Sequence, residues 1–196
     1  MFPSYLGSLV APPDALSFLA EDAAEPGGAD LTWAYAWPAG ERMAAELADL
    51  VDCSGQRVAD LGCGRGHLGL MALIQDADEL TFCDGSPRPL AWVTAVLTAN
   101  HLNDRGHAAL HTWGAPIPHG RYPLILGGDI LYRPEHIPAL VASIAASLTA
   151  DGVALLADPR TQPDPTLCAA SAAAGLIAAH ERRAAGYTLT RLRRQR

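Results

Sequence analysis

The run Val58-Ala59-Asp60-Leu61-Gly62-Cys63-Gly64-Arg65-Gly66-His67 constrains this chain more than any other stretch. Apolar residues lead into an acid, and three glycines follow at alternate positions. A residue without a Cβ lets the backbone turn tightly and press against a ligand. The apolar stretch from Leu68 to Ile74 then reads as a helix. A strand, a glycine turn and a helix N-terminus together make a nucleotide-type site. With 196 residues the chain is long enough for one α/β domain with a sizeable core.

Two details separate this site from a dinucleotide fold. His67 stands where G-x-G-x-x-G requires its third glycine, and Asp60 lies two residues before the first. Both favour a site for S-adenosylmethionine (SAM). The string Asp-Leu-Gly-Cys-Gly-Arg-Gly at 60–66 resembles motif I of the class I SAM-dependent methyltransferases. The resemblance implies that the backbone of Gly62, Cys63, Gly64 and Gly66 wraps the methionine end of the cofactor. It also implies that Asp60 binds the cofactor's ammonium group.

From Arg57 onward the pattern alternates strand and helix. A strand at 57–61 is followed by a helix at 67–75. A second strand at 79–83 closes with Asp84-Gly85-Ser86-Pro87. Asp84 falls 22 residues after Gly62, the distance at which a second-strand acid reaches a ribose. Its carboxylate suits two vicinal hydroxyls; as a turn acid or helix cap before Pro87 it would need no ligand. A helix at 89–100 and a strand at 107–112 lead to Trp113-Gly114. Trp113 either covers the adenine face or packs in the core. A fourth strand at 122–126 ends in Gly127-Gly128-Asp129-Ile130-Leu131-Tyr132. In an open α/β sheet the ligand lies beyond the strand C-termini where strand order reverses, so Asp129 and Tyr132 should face the transferable methyl. A helix at 134–148, a strand at 153–157, a helix at 166–174 and two strands at 176–181 and 187–192 complete seven strands and about six helices.

The first 37 residues read as a helical and aromatic lead-in to a methyltransferase domain at 38–196. Pro12-Pro13-Asp14 predicts a short helix, and Glu25-Pro26-Gly27-Gly28 a turn. Trp33, Tyr35 and Trp37 alternate, so an extended segment would set them on one face. There they either cap the core or wall the pocket. Pro38–Leu50 reads as one helix with Met43, Leu47 and Leu50 on its apolar face.

Charge and cysteine usage narrow the function. The chain has no lysine. Residues 1–180 carry 8 Arg against 20 acids, and 181–196 carry 6 Arg against 1. An acidic body argues against nucleic acid and suits a basic partner. The arginine-rich end is either a solvated last strand or a dock for an acidic partner. Cys53, Cys63, Cys83 and Cys168 lack C-x-x-C spacing and read as buried fillers, and the histidines lack H-x-x-x-H spacing, so no metal is expected. No apolar run has transmembrane length and no basic signal-peptide start is present, so a cytoplasmic monomer away from membranes is expected.

The run Trp33-Ala34-Tyr35-Ala36-Trp37-Pro38-Ala39-Gly40, motif I and Gly128-Asp129-Ile130-Leu131-Tyr132 together resemble the seven-strand protein-lysine methyltransferases of family 16, in particular those acting on the electron-transfer flavoprotein β-subunit. Ala39 replaces the first glycine of that family's W-P-G-G. The resemblance implies a single Rossmann-like domain with a mostly parallel seven-stranded sheet and helices on both faces. It implies SAM as cofactor, with S-adenosylhomocysteine (SAH) as product. Trp37, Asp84, Gly85, Ser86, Trp113 and Gly128 join the motif I residues as cofactor contacts, and Asp129 and Tyr132 become the catalytic pair. The acceptor implied is a lysine on a protein. A small amine, peptide or histidine acceptor, a non-catalytic SAM-binding module and an NAD-dependent oxidoreductase are the competing readings. His67 and the lack of room for a second domain weaken the last.

Overall fold

The inner strands of the sheet alternate their apolar side chains between two helical layers, and that alternation explains the architecture. Val58, Leu124 and Leu126 point into one core with Met43, Leu70 and Val93. Ala59, Leu61 and Ile125 point into the other with Leu140, Ile144 and Leu167. Strands buried on both faces are what a parallel sheet covered by helices requires. The computed structural model describes residues 6–7, 9–12 and 32–195. The helix expected after Pro12 and the turn at 25–28 lie outside the described residues.

Among the described residues the strands are β1 (Arg57–Leu61), β2 (Glu79–Asp84), β3 (Gly106–Leu110), β4 (Tyr122–Gly128), β5 (Leu148–Asp158), β6 (Leu176–Arg182) and β7 (Thr188–Arg194). The helices are α1 (Pro38–Ala45), α2 (Leu47–Leu50), α3 (His67–Ile74), α4 (Pro87–Ala99), α5 (Ile137–Ser147) and α6 (Pro165–Ala173). The sheet order is β3-β2-β1-β4-β5-β7-β6. Pairing is parallel from β3 to β5, and β7 runs antiparallel to both β5 and β6. Strand order reverses between β1 and β4, which opens a crevice at their C-terminal ends.

Several boundaries differ from the sequence reading for identifiable reasons. The helix expected over Pro38–Leu50 breaks at Glu46, whose φ of −101° and ψ of 3° leave the helical region. There the Glu46 carboxylate accepts from the buried Tyr187 hydroxyl at 3.0 Å and from Arg183 at 3.3 Å. The helix expected from Pro134 starts as a 3-10 turn, Pro134–His136. Strand β5 begins at Leu148, five residues early, because Leu148 pairs with Tyr122 before a register shift. Strand β4 runs on to Gly128 by pairing with Ala157.

The aromatic lead-in does not share one face. Trp33 sits in a 3-10 turn, buried against Trp92 with ring centroids 6.3 Å apart, whereas Tyr35 and Trp37 are exposed. Cys53, Cys63 and Cys83 are buried, but Cys168 is exposed on α6. Much of the C-terminal arginine cluster is engaged within the fold. Arg183 pairs with Glu46 and Glu181, Arg191 with Glu181, and Arg194 donates to the Leu148 carbonyl. No helix among the described residues is long and apolar enough to cross a membrane.

Candidate active site

The loop after β1 is built so that only glycine fits at its turns. Gly62, Gly64 and Gly66 have φ of 69°, 47° and 78°. A Cβ on Gly62 would lie 2.6 Å from the Ile130 side chain, and one on Gly64 3.1 Å from the Trp33 carbonyl. Backbone hydrogen bonds fix the loop: Cys63 donates to the Cys83 carbonyl at 2.9 Å, and Gly66 to the Cys63 carbonyl at 2.7 Å. Asp60 is buried beneath it, and its Oδ2 accepts from the Gly69 amide at 2.9 Å, in the first turn of α3. Burial pushes the Asp60 carboxyl up to about 7; the Gly69 bond pulls it down and the nearby Asp84 pushes it further up.

Asp84 ties the loop to the end of β2. Its Oδ2 accepts from the Gly64 amide at 3.1 Å and its Oδ1 from Ser86 at 3.0 Å. The cap of α4 is Ser86, whose hydroxyl accepts from the Arg88 amide at 3.4 Å, so Asp84 is not itself the helix cap.

Across the crevice, β4 ends where α1 begins, and two glycines let them meet. A Cβ on Gly128 would stand 2.6 Å from the Gly40 Cα. The approach lets the Gly40 amide donate to Asp129 Oδ2 at 2.6 Å. Asp129 is buried, holds a left-handed φ of 55°, and donates its own amide to the Ala157 carbonyl at 2.9 Å. That backbone costs about 1 kcal/mol or more outside glycine. Its other oxygen, Oδ1, is buried with no hydrogen-bond partner among the described residues. Burial raises the Asp129 pKa and the Gly40 amide lowers it; Asp158 raises it, while the Ala39 amide and Arg42 lower it.

Above Asp129 stands a set of rings. Trp37 and Tyr132 lie stacked with planes 9° apart, Tyr35 meets Trp37 edge-on, and the Arg133 guanidinium lies 5.9 Å from the Tyr132 ring centroid. Trp37 is fixed by its indole N–H, which donates to the Thr32 carbonyl at 2.7 Å. Trp113 makes an edge contact with His136 at 5.8 Å.

These parts wall an open cleft of about 770 Å³, lined by Trp37, Gly62, Gly64, Asp84, Gly85, Ser86, Trp113, Gly128, Asp129 and Tyr132. Trp113 is thus both a wall of the cleft and a partner of the core. Asp60 and Cys63 line a smaller pocket of about 50 Å³, shared with Trp37, Gly62, Gly64 and Gly128. Gly66 lines neither; it caps α3 in the left-handed region, and a Cβ there would meet Val93 and Phe82. Sequence reasoning missed Gly40, Glu41 and His67 in the small pocket, and His111, Arg133 and His136 in the cleft. His67 Nδ1 lies 3.2 Å from Glu41 Oε1. Burial, then Arg65, lowers the His67 pKa to about 4, so the ring is neutral near pH 7 and the contact is not an ion pair there. Only the departure of His67 from the glycine pattern signalled that position.

Residues 41–127 match the methyltransferase small domain. The chain is 38% identical to a protein N-lysine methyltransferase METTL21A of Danio rerio, over 54% of this chain and 50% of that protein. It is 32% identical to an EEF1A lysine methyltransferase 3 of Mus musculus, over 48% of this chain and 41% of that protein. The chain therefore spans half or less of the length of these curated relatives. The structure of the mitomycin 7-O-methyltransferase MmcR superposes with a TM-score of 0.71 at 19% identity, covering 90% of this chain and 60% of that one. Sheet order, glycine loop and these likenesses agree: the chain has the class I, seven-strand methyltransferase fold and resembles the family 16 protein-lysine methyltransferases.

Proposed function

We propose that this protein is a SAM-dependent methyltransferase whose acceptor is a lysine amine on a protein partner. The observation that carries the reading is Asp129 Oδ1, a buried carboxylate oxygen with no hydrogen-bond partner among the described residues, on a side chain that lines the cleft. Such an oxygen is costly unless a ligand completes it. The relatives named as lysine methyltransferases support the acceptor class.

The residues present fit the cofactor. Gly62 and Gly64 leave no room for a Cβ, Asp84 lies on the cleft wall hydrogen-bonded to the Gly64 amide, and Trp113 offers a flat apolar face. SAM, when bound, supplies a methyl already activated on a sulfonium. The protein's own task is then to position a nucleophile, which can account for much of the rate. A lysine amine with a pKa near 10.4 is mostly protonated and has no lone pair to offer. Asp129 Oδ1 attracts the ammonium; the ammonium releases one proton to bulk water through the open cleft, and Oδ1 then accepts an N–H from the neutral amine, turning its lone pair into the cleft. Trp37 and Tyr132 pack the alkyl stem and exclude water, which favours the neutral amine.

Tritiated SAM incubated with the protein and a lysate of its source cells tests this. Label in a protein band, recovered as methyl-lysine after hydrolysis, is the expected result. Label in small molecules would move the acceptor to that class, and no transferred label despite SAM binding would leave a non-catalytic module. Because the chain has no lysine side chain, its own band should stay dark.

A further inference from the structure

We propose that Arg160 is the positioning residue of the acceptor loop: one guanidinium joins the ends of β5 and α6 to the Leu131 carbonyl, and so sets Asp129 and Tyr132 in place. The inference rests on the acceptor role of Asp129 given above.

The contacts are specific. Arg160 Nε lies 3.0 and 2.9 Å from the two Asp158 oxygens, and Nη2 lies 2.6 Å from Oδ2. Nη1 donates to Asp164 Oδ2 at 3.0 Å. Asp164 is also the N-cap of α6, accepting from the Thr166 amide at 2.8 Å. Nη2 further donates to the Leu131 carbonyl at 2.9 Å. That carbonyl belongs to the peptide joining Leu131 to Tyr132, so its direction sets where Tyr132 leaves the loop. The backbone of Arg160 is itself pinned, since its carbonyl accepts from the Thr188 hydroxyl at 2.7 Å on β7. A planar fork with several fixed donors can hold these acceptors together; an ammonium on a flexible stem cannot.

A second consequence is electrostatic. The charged groups acting on Asp129 are Arg42 from α1, which favours its ionised form, and Asp158 from β5, which disfavours it. The amides of Gly40 and Ala39 favour the ionised form as well. Arg160 covers Asp158 directly, so it lessens the pressure that Asp158 puts on Asp129. Nothing in the sequence marks this arginine; Asp158-Pro159-Arg160 reads as an ordinary strand end.

The test uses Arg160→Gln, Arg160→Lys and the double variant Arg160→Gln with Asp158→Asn, in the full chain. Amide hydrogen exchange is followed over 128–133 and over β1 and β2 as a control. In Arg160→Gln, exchange over 128–133 should rise at least tenfold while β1 and β2 stay within twofold. SAH affinity should stay within twofold. With a turned-over acceptor, kcat/KM should fall about tenfold or more, and the lower-pH limb of its profile should move to higher pH. The double variant should return that limb toward wild type. Arg160→Lys should keep the limb but not the loop's protection. Unchanged exchange over 128–133 would overturn the proposal whether or not methyl transfer is ever found, as would a uniform rise across the sheet. An acceptor other than lysine would revise the functional reading and leave the exchange result standing.

Discussion

Trp37 and Tyr132 lie nearly parallel, with ring planes 9° apart and centroids 6.4 Å apart, although one precedes α1 and the other follows β4. Both are exposed on their outer sides, and both line the cleft. Two rings brought together at a cavity mouth suit a cationic or alkyl side chain passing between solvent and Asp129. Tyr132→Ala should raise KM for the protein acceptor about fivefold, the scale of roughly 1 kcal/mol for an exposed cation–aromatic contact. SAH affinity should change less than twofold. Parallel calorimetry and steady-state kinetics separate the two, and an equal loss of SAH binding would place Tyr132 with the cofactor instead.

Asp129→Asn keeps the shape of the side chain and removes its charge. We expect kcat/KM to fall roughly 10²-fold or more, the scale for losing one positioned catalytic group. The Gly40 amide can still donate to the remaining carbonyl oxygen, so the fold should hold. Wild-type activity should rise with pH, because both the ionised Asp129 and the neutral amine are favoured at higher pH. Turnover by a folded Asp129→Asn at the wild-type rate would remove the assignment.

Asp60 is a buried carboxyl that costs the ligand-free fold stability at neutral pH. Its carboxyl is pushed from 3.8 to about 7 in the folded chain. A carboxyl raised on folding binds its proton more tightly in the native state than in the unfolded one, so the ligand-free protein loses stability as pH rises from about 4 to about 7. Asp60→Asn removes that penalty. At pH 8 it should stabilise the ligand-free protein by about 2–4 kcal/mol, from about 1.4 kcal/mol per unit of displacement. The gain should vanish near pH 4, while SAH binding weakens at pH 8. Denaturant titrations at the two pH values check the sign; a variant less stable than wild type at pH 8 would contradict it.

Gly128→Ala probes the meeting of α1 and β4. The added Cβ would fall 2.6 Å from the Gly40 Cα, a backbone atom that cannot rotate away. Overpacking of this kind costs about 1–3 kcal/mol. The Gly40–Asp129 hydrogen bond should open with it, so activity should fall further than stability alone explains. Urea unfolding and initial rates at a temperature where the variant is folded measure both.

What the sequence disclosed and what it hid differ by the range of the interaction. The glycine loop at 62–66 was legible because its chemistry is local: positive φ and close approach demand glycine within five residues. The strand leading to Asp129 was legible from its apolar run and its place in the alternation. Gly40 and Asp129 are 89 residues apart, and their hydrogen bond exists only once α1 docks beside β4. Arg160 and Leu131 meet in the same way across 29 residues. Trp33 was misplaced because alternation predicts a shared face only in an extended chain, and a 3-10 turn rotates it into the core instead. Residue type alone predicts a buried Cys168, yet α6 turns that position outward.

Among the described residues the edge strand β6 is paired on one side only, with β7. An open edge is a template on which another chain can build. Here it ends in Glu181 and Arg182, with Arg183 following, and Glu181 is gripped by Arg183 and Arg191. A strand arriving alongside would have to strip water from these charges before gaining a backbone hydrogen bond. At that end of β6 the ion pairs thus set a desolvation cost against any further strand, while the apolar Ile177 at the strand's other end stays open to solvent.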